Sequence, residues 1–308
     1  MIGAVLACAG MHALDAGTRV VDERDDYGDA PEPGLQLVLP DQLVGPYEEV
    51  IFCFHGTWDG ETVGVNLLQP RGNGNHHNQL KTPLNQPPAD GTVRTCSDDY
   101  GEMGYATPLF EAAGVSAEDP GGPWLDLPTG MAMKFASGTP WMVETHFINP
   151  TDDAVLVNAA IDLGFVPEEE VDVWLGTFEF DAGDLGLDPG PAEVTFECAW
   201  TEDVTLFSIL GHMHEFGRSF TTEWIHDGVT ETIYEVADWD ASYKNAPVIA
   251  NHEAGEIVIE AGDIFRTTCT WDNTTDGVLE VPAEMCTLNG TAYPLDRPLR
   301  CVDGKQFD

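Results

Sequence analysis

Two tandem antiparallel β-sandwiches of the jelly-roll kind are the fold this sequence predicts, on three observations. The chain has 308 residues, too many for one ordinary core and enough for two of about 130 each. Glycine (32) and proline (21) are abundant, so turn signals recur at short intervals. Long apolar runs of 3.6-residue period are missing, and short alternating runs with β-branched residues take their place. The class is therefore all-β, with frequent strands joined by turns.

The elements follow in order. Residues 1–34 read as an export-signal remnant and an acidic tether: Cys8 follows Val5-Leu6-Ala7, the small-apolar context of a lipidated cysteine, and residues 15–34 are polar and rich in Pro and Gly. Residues 35–166 form the first predicted domain. Strands are expected over 35–54 and 61–69, then a turn-rich passage over 70–140 with few clear elements, then strands over 141–148 and 154–165. The acidic segment 166–172 (VPEEEVD) marks the boundary. The second domain, residues 167–303, carries strands over 173–180, 192–200, 204–216, 219–228 and 230–236. A further run over 256–272 is expected to turn as a hairpin at Ala261-Gly262-Asp263.

Charge narrows the function. Fifty-four acidic residues against twelve basic ones give a net charge of −42. Such a surface repels nucleic acid and anionic lipid head groups, so neither is expected as a partner. Solubility in salty water accounts for the acidity, with attraction of cations as the alternative. No apolar stretch reaches the roughly 20 residues needed to span a bilayer.

Seven cysteines are present. If Cys8 belongs to the signal, six remain (53, 96, 198, 269, 286, 301), an even number suited to three disulfides in an oxidising compartment, with 15 pairings open. No C-x-x-C occurs, which argues against a thiolate zinc site.

Five of the nine histidines fall in three settings. His212 and His214, in H-M-H at the end of an apolar strand, stand at i and i+2 and so project from one face; two imidazoles there can reach one ion, or can be two polar residues at a strand end. His76 and His77 are adjacent, so joint ligation needs a bend, which Gly72, Asn73, Gly74 and Asn75 make cheap. His146, in the strand WMVETHFINP, is a candidate to close a three-imidazole site from across a sheet. Met285, beside Cys286, is core filler or, paired with two histidines, a soft thioether that favours copper(I). His55, His226 and His252 have no such company and read as surface or core residues.

In order and spacing these pieces resemble the copper type II, ascorbate-dependent monooxygenases, the family of the peptidylglycine α-hydroxylating and dopamine β-hydroxylating enzymes. The second half carries the stronger likeness, through LFSILGHMHEFGRSF, EVADWDASY, AGDIFRTTCTWDN, AEMCTL and TAYP. GNHHNQL, LPTGMAMKFASG and VETHFINPTDDA carry the first half. The resemblance implies two coppers per chain: His76, His77 and His146 would hold one, and His212, His214 and Met285 the other, where oxygen and substrate meet. It implies the disulfides Cys53–Cys96, Cys198–Cys301 and Cys269–Cys286, which leaves only Cys8 unpaired. The activity implied is hydroxylation of a small-molecule C–H bond by O₂, with an ascorbate-like reductant as co-substrate, in an exported protein (periplasm or outer surface) that is a monomer with a lipid anchor at Cys8.

The pattern also departs from the family. Leu210 stands where the peptide-amidating branch has Arg, Thr287 and Asn289 where it has Asn and Tyr, and Asn78 where Met follows the His pair. Glycine-extended peptides are therefore not expected as substrates. An exported copper-binding protein for storage or delivery, without turnover, is the alternative.

Overall fold

The computed structural model describes residues 19–24, 26–72, 75–83, 87–96, 106–110, 125–183, 185–244, 247–281 and 283–307, without the side chains of 75–77, 106–110 and 307. The proposed signal and Cys8 lie outside the described residues. The fold is all-β, with its sheets layered in the manner of sandwiches. Its packing divides the chain into two units, residues 1–129 with 135–170, and residues 130–134 with 171–308.

Two sheets make the first unit. In one, Ala154–Pro167 runs antiparallel between Gly34–Val44 and Val63–Gly72. In the other, Pro140–Ile148 lies antiparallel between Glu49–Thr57 and Asn75–Pro83, with Val93–Thr95 and Ala106–Phe110 at the edges. Phe52 and Phe147 from one sheet meet Leu39, Val155, Val157 and Ala159 from the other in a closed apolar cluster. Removing these side chains from water is what holds the two layers together.

Several strands fall inside the passage 70–140, where few were expected: Asn75–Pro83, Val93–Thr95, Ala106–Phe110, Leu125–Asp126 and Met131–Phe135. The reason is partner distance. Asn75–Pro83 pairs with Pro140–Ile148, more than fifty residues on, and its own His, Asn, Gln and Lys side chains dilute the apolar alternation. Gly130–Lys134 belongs with the second unit, where Met131–Met133 pairs in parallel with Val173–Leu175.

The second unit sets a mixed sheet against a four-stranded antiparallel one. In the mixed sheet Thr287–Tyr293 is central, antiparallel to both Val173–Asp181 and Val204–His212. The four-stranded sheet runs in the order Gly190–Ala199, Ile264–Asn273, Gly217–His226, Val229–Val236. Ile264–Asn273 alternates strictly between partly exposed and buried residues, so Phe265, Thr267, Cys269 and Trp271 face inward. Trp200 lies edge-on to Phe178 (5.0 Å), Phe180 (5.3 Å) and Phe265 (5.2 Å), the arrangement aromatic quadrupoles favour.

The turn at Ala261-Gly262-Asp263 is real, but it does not make a hairpin. Val258–Ile259 pairs with Val204–His212 in the mixed sheet, whereas Ile264–Asn273 belongs to the four-stranded one. Gly262, at φ +103°, lets the chain reverse and cross between layers, and its N–H donates to Trp200 O (2.8 Å).

Three disulfides are formed: Cys53–Cys96, Cys198–Cys301 and Cys269–Cys286, with Cα separations of 5.0, 6.2 and 6.0 Å. All six cysteines are buried. The last two join the sheets of the second unit. Bonds of this kind belong to an oxidising, extracytoplasmic setting. Among the described residues no helix is long and apolar enough to cross a membrane.

Candidate metal centre

In the second unit the strand Val204–His212 ends at the first histidine of H-M-H. Alternation continues through the motif: Met213 is fully buried in the aromatic core, and His212 and His214 flank it on the other side, half-buried. Gly211 and Gly217 allow this close packing, since a Cβ would lie 2.6 Å from the Phe220 ring at Gly211 and 2.7 Å from Trp239 at Gly217.

The two imidazoles converge. Their Nε2 atoms are 3.0 Å apart, with ring planes at 84°. His214 Nδ1 lies 3.2 Å from Ala283 O. A carbonyl only accepts, so that contact puts the His214 proton on Nδ1 and leaves a lone pair on Nε2, aimed at His212. Two nitrogens bound to one ion at about 2.0 Å, about 90–110° apart, would be separated by roughly 2.8–3.3 Å. The observed spacing fits a shared ion, and a metal-ligating histidine anchored through its other nitrogen to a carbonyl is the usual supporting arrangement.

Met285 lies two residues before the strand Thr287–Tyr293, whose first residue pairs with His212 at the end of Val204–His212. Met285 is half-buried, and its neighbours tie it down: Ala283 O holds the His214 ring, and Cys286 is bonded to Cys269. The three residues expected at this centre are thus carried by adjoining segments, and an imidazole pair with a thioether is a donor set suited to copper(I).

Sequence reasoning missed Glu284. It is fully buried, and its carboxylate accepts from His214 N (3.0 Å), Phe216 N (2.7 Å) and Trp271 Nε1 (3.0 Å). Trp239 Nε1 adds a hydrogen bond to His214 O (3.0 Å). The available signal was an acid set between Pro282 and Cys286 beside a candidate ligand. Lys244 pairs with Glu215 next door and, by that hydrogen bond, holds the Glu215 carboxyl below its usual range.

Leu210, Thr287 and Asn289, three of the positions where the pattern differs from the sequences it resembles, lie beside this pair: Asn289 pairs with Leu210 and Thr287 with His212, and all three are buried. On the next strand Asp181 pairs with Thr287, and burial pushes its carboxyl up against the hydrogen bond from Thr287 and the charge of Arg300.

In the first unit the register sets His146 opposite His77. Directly opposed residues of an antiparallel pair share one face of the sheet. The ladder then shifts, Phe147 pairing with Asn75, so residue 76 is the extra residue of a bulge. The break expected for adjacent histidines is therefore present in the backbone; the side chains of His76 and His77 lie outside the described residues. His146 is 7% exposed, and its Nε2 lies 2.9 Å from Glu49 Oε1, a carboxylate contact the sequence did not reveal. Asn78 is fully buried and donates to Arg71 O (3.2 Å).

Among the described residues the other histidine and cysteine groups have ordinary partners. Cys53, Cys96 and Glu144 come within 4.8 Å of one another, but the cysteines are disulfide-bonded and Glu144 pairs with Lys81 (3.1 Å). His55 is buried in the first unit, His226 stacks on Trp224 at 3.7 Å, and His252 faces Glu256.

No family model and no curated protein matches the chain. Among solved structures, it is similar to the VP2 subviral particle of infectious bursal disease virus, at 10% identity and TM-score 0.24 over 88% of this chain and 74% of that one. The structure of the Gx strain of the same virus is similar at 9% identity and TM-score 0.21, over 87% and 73%.

Proposed function

We propose that this chain is an exported, copper-dependent monooxygenase that hydroxylates a C–H bond of a small substrate. His212, His214 and Met285 would hold the copper at which substrate is oxidised, and His76, His77 and His146 a second one. The observation that carries this reading is the 3.0 Å approach of the His212 and His214 Nε2 atoms, with His214 Nδ1 bound to the backbone two residues before Met285. Copper bound there would supply O₂ binding and one-electron redox chemistry, fed by an ascorbate-like reductant. The protein's own part is to present neutral imidazoles and a soft sulfur, to hold His214 in the Nδ1–H tautomer, and to keep the rows behind His212 dry. Leu210 in place of an arginine supplies no positive charge for a substrate carboxylate, which supports a substrate other than a glycine-extended peptide. A lipid anchor at Cys8 is part of the same proposal.

The buried Leu210, Thr287 and Asn289 also favour a second reading, an exported copper-binding protein that keeps its ligands without turnover. Oxygen uptake separates the two. The enzyme consumes O₂ with ascorbate at a rate that rises when a substrate is added. Two bound coppers with no stimulation across a library of amines, alcohols and aromatic compounds would leave only the binder.

A further inference from the structure

We infer that Glu284 is the positioning residue of the His212/His214/Met285 centre. This rests on the proposal that those three residues bind copper. Glu284 directly precedes Met285, and its side chain reaches the backbone of His214 and Phe216 and the Trp271 indole. One carboxylate therefore joins the segment carrying the thioether to the loop carrying an imidazole. The preceding residue repeats the link, because Ala283 O meets His214 Nδ1.

The chemistry needs this residue type. Three N–H groups point at one fully buried side chain, and an ionised carboxylate accepts at both oxygens. Phe216 N uses Oε1, while His214 N and Trp271 Nε1 share Oε2. A carboxamide in its place turns an NH₂ group towards at least one of those donors, so the loop must shift. His214 then leaves Ala283 O and its ring is no longer held with Nε2 towards His212. A short acid at this position would fail as well, because it cannot span from residue 284 to the 214–216 backbone.

The test uses the full chain and Glu284→Gln, with Trp271→Phe as a second variant that removes one donor and leaves the carboxylate. The first readout is ¹⁵N NMR of the imidazoles in the metal-free protein. His214 is expected as the Nδ1–H tautomer in the parent chain and as a tautomer mixture in Glu284→Gln. The second is copper(I) affinity measured against a chromophoric chelator, expected to fall on the order of 10- to 100-fold at this centre in Glu284→Gln and by less in Trp271→Phe. If Glu284→Gln does not fold, Glu284→Asp takes its place, and a parent-like tautomer and affinity in that shorter acid overturn the inference. A folded Glu284→Gln with the parent's tautomer and affinity, altered only in melting temperature, overturns it too. A parent chain whose copper(I) affinity is indifferent to His212→Ala instead overturns the copper reading, and the tautomer result still decides whether Glu284 positions His214.

Discussion

In the first unit His77 and His146 come together through strand pairing alone, with a one-residue bulge supplying the bend beside them. In the second unit His212 and His214 converge beside the segment that carries Met285, where two sheets are fastened by Cys269–Cys286 and where Glu284 ties a loop to a strand end. The first design takes its geometry from the backbone ladder, which any residue can join. The second takes it from particular side chains. Sites of the second kind are more exactly set and more easily lost, since one substitution removes several hydrogen bonds at once.

The sharpest way to break the comparison is to remove a ligand. Met285→Ile is expected to lower substrate-stimulated O₂ uptake to background while circular dichroism keeps the β-sheet spectrum. Unchanged turnover would take Met285 out of the chemistry. Next in size is loss of the staple. Replacing Cys269 and Cys286 by alanine should cost about 3 kcal/mol of stability in denaturant melts, as for a 17-residue loop. It should also weaken copper at the second centre, whereas the Cys53/Cys96 double alanine chain should lose stability yet keep that copper. Equal copper loss in both would show that general loosening, not the local fastening, governs the site.

A smaller effect is expected from His146→Ala, which should reduce bound copper from two to one and leave the copper–sulfur signature intact. Loss of both ions would mean the centres depend on each other. The smallest concerns Asp22, whose carboxyl the side chain of Arg24 lowers to about 2. A depressed carboxyl stabilises the fold above its unfolded value of 3.8 and stops doing so as pH falls through about 2. Melting temperatures of Asp22→Asn and the parent should therefore differ slightly at pH 5, by about 1 °C or less for so exposed a pair, and converge near pH 2. A gap that widens on acidification would reverse the sign.

Much of the second unit was legible in the sequence because its strands alternate cleanly and period two needs no tertiary knowledge. The same rule put His212 and His214 on one face with Met213 inward. The strands between residues 70 and 140 were harder to read, since their partners lie far along the chain and their polar residues blur the alternation. Glu284 escaped notice for a related reason. Its meaning depends on His214, seventy residues earlier, and on Trp271, which only the folded ladder brings near. Glu49 beside His146 is a contact of the same long-range kind.

Copper K-edge X-ray absorption on the protein loaded with copper and reduced tests the proposed centre most directly. A copper–sulfur scattering path should be present in the parent chain, vanish in Met285→Ile and persist in His146→Ala. A parent spectrum fitted by nitrogen and oxygen neighbours alone would mean that Met285 and the two converging imidazoles do not share an ion.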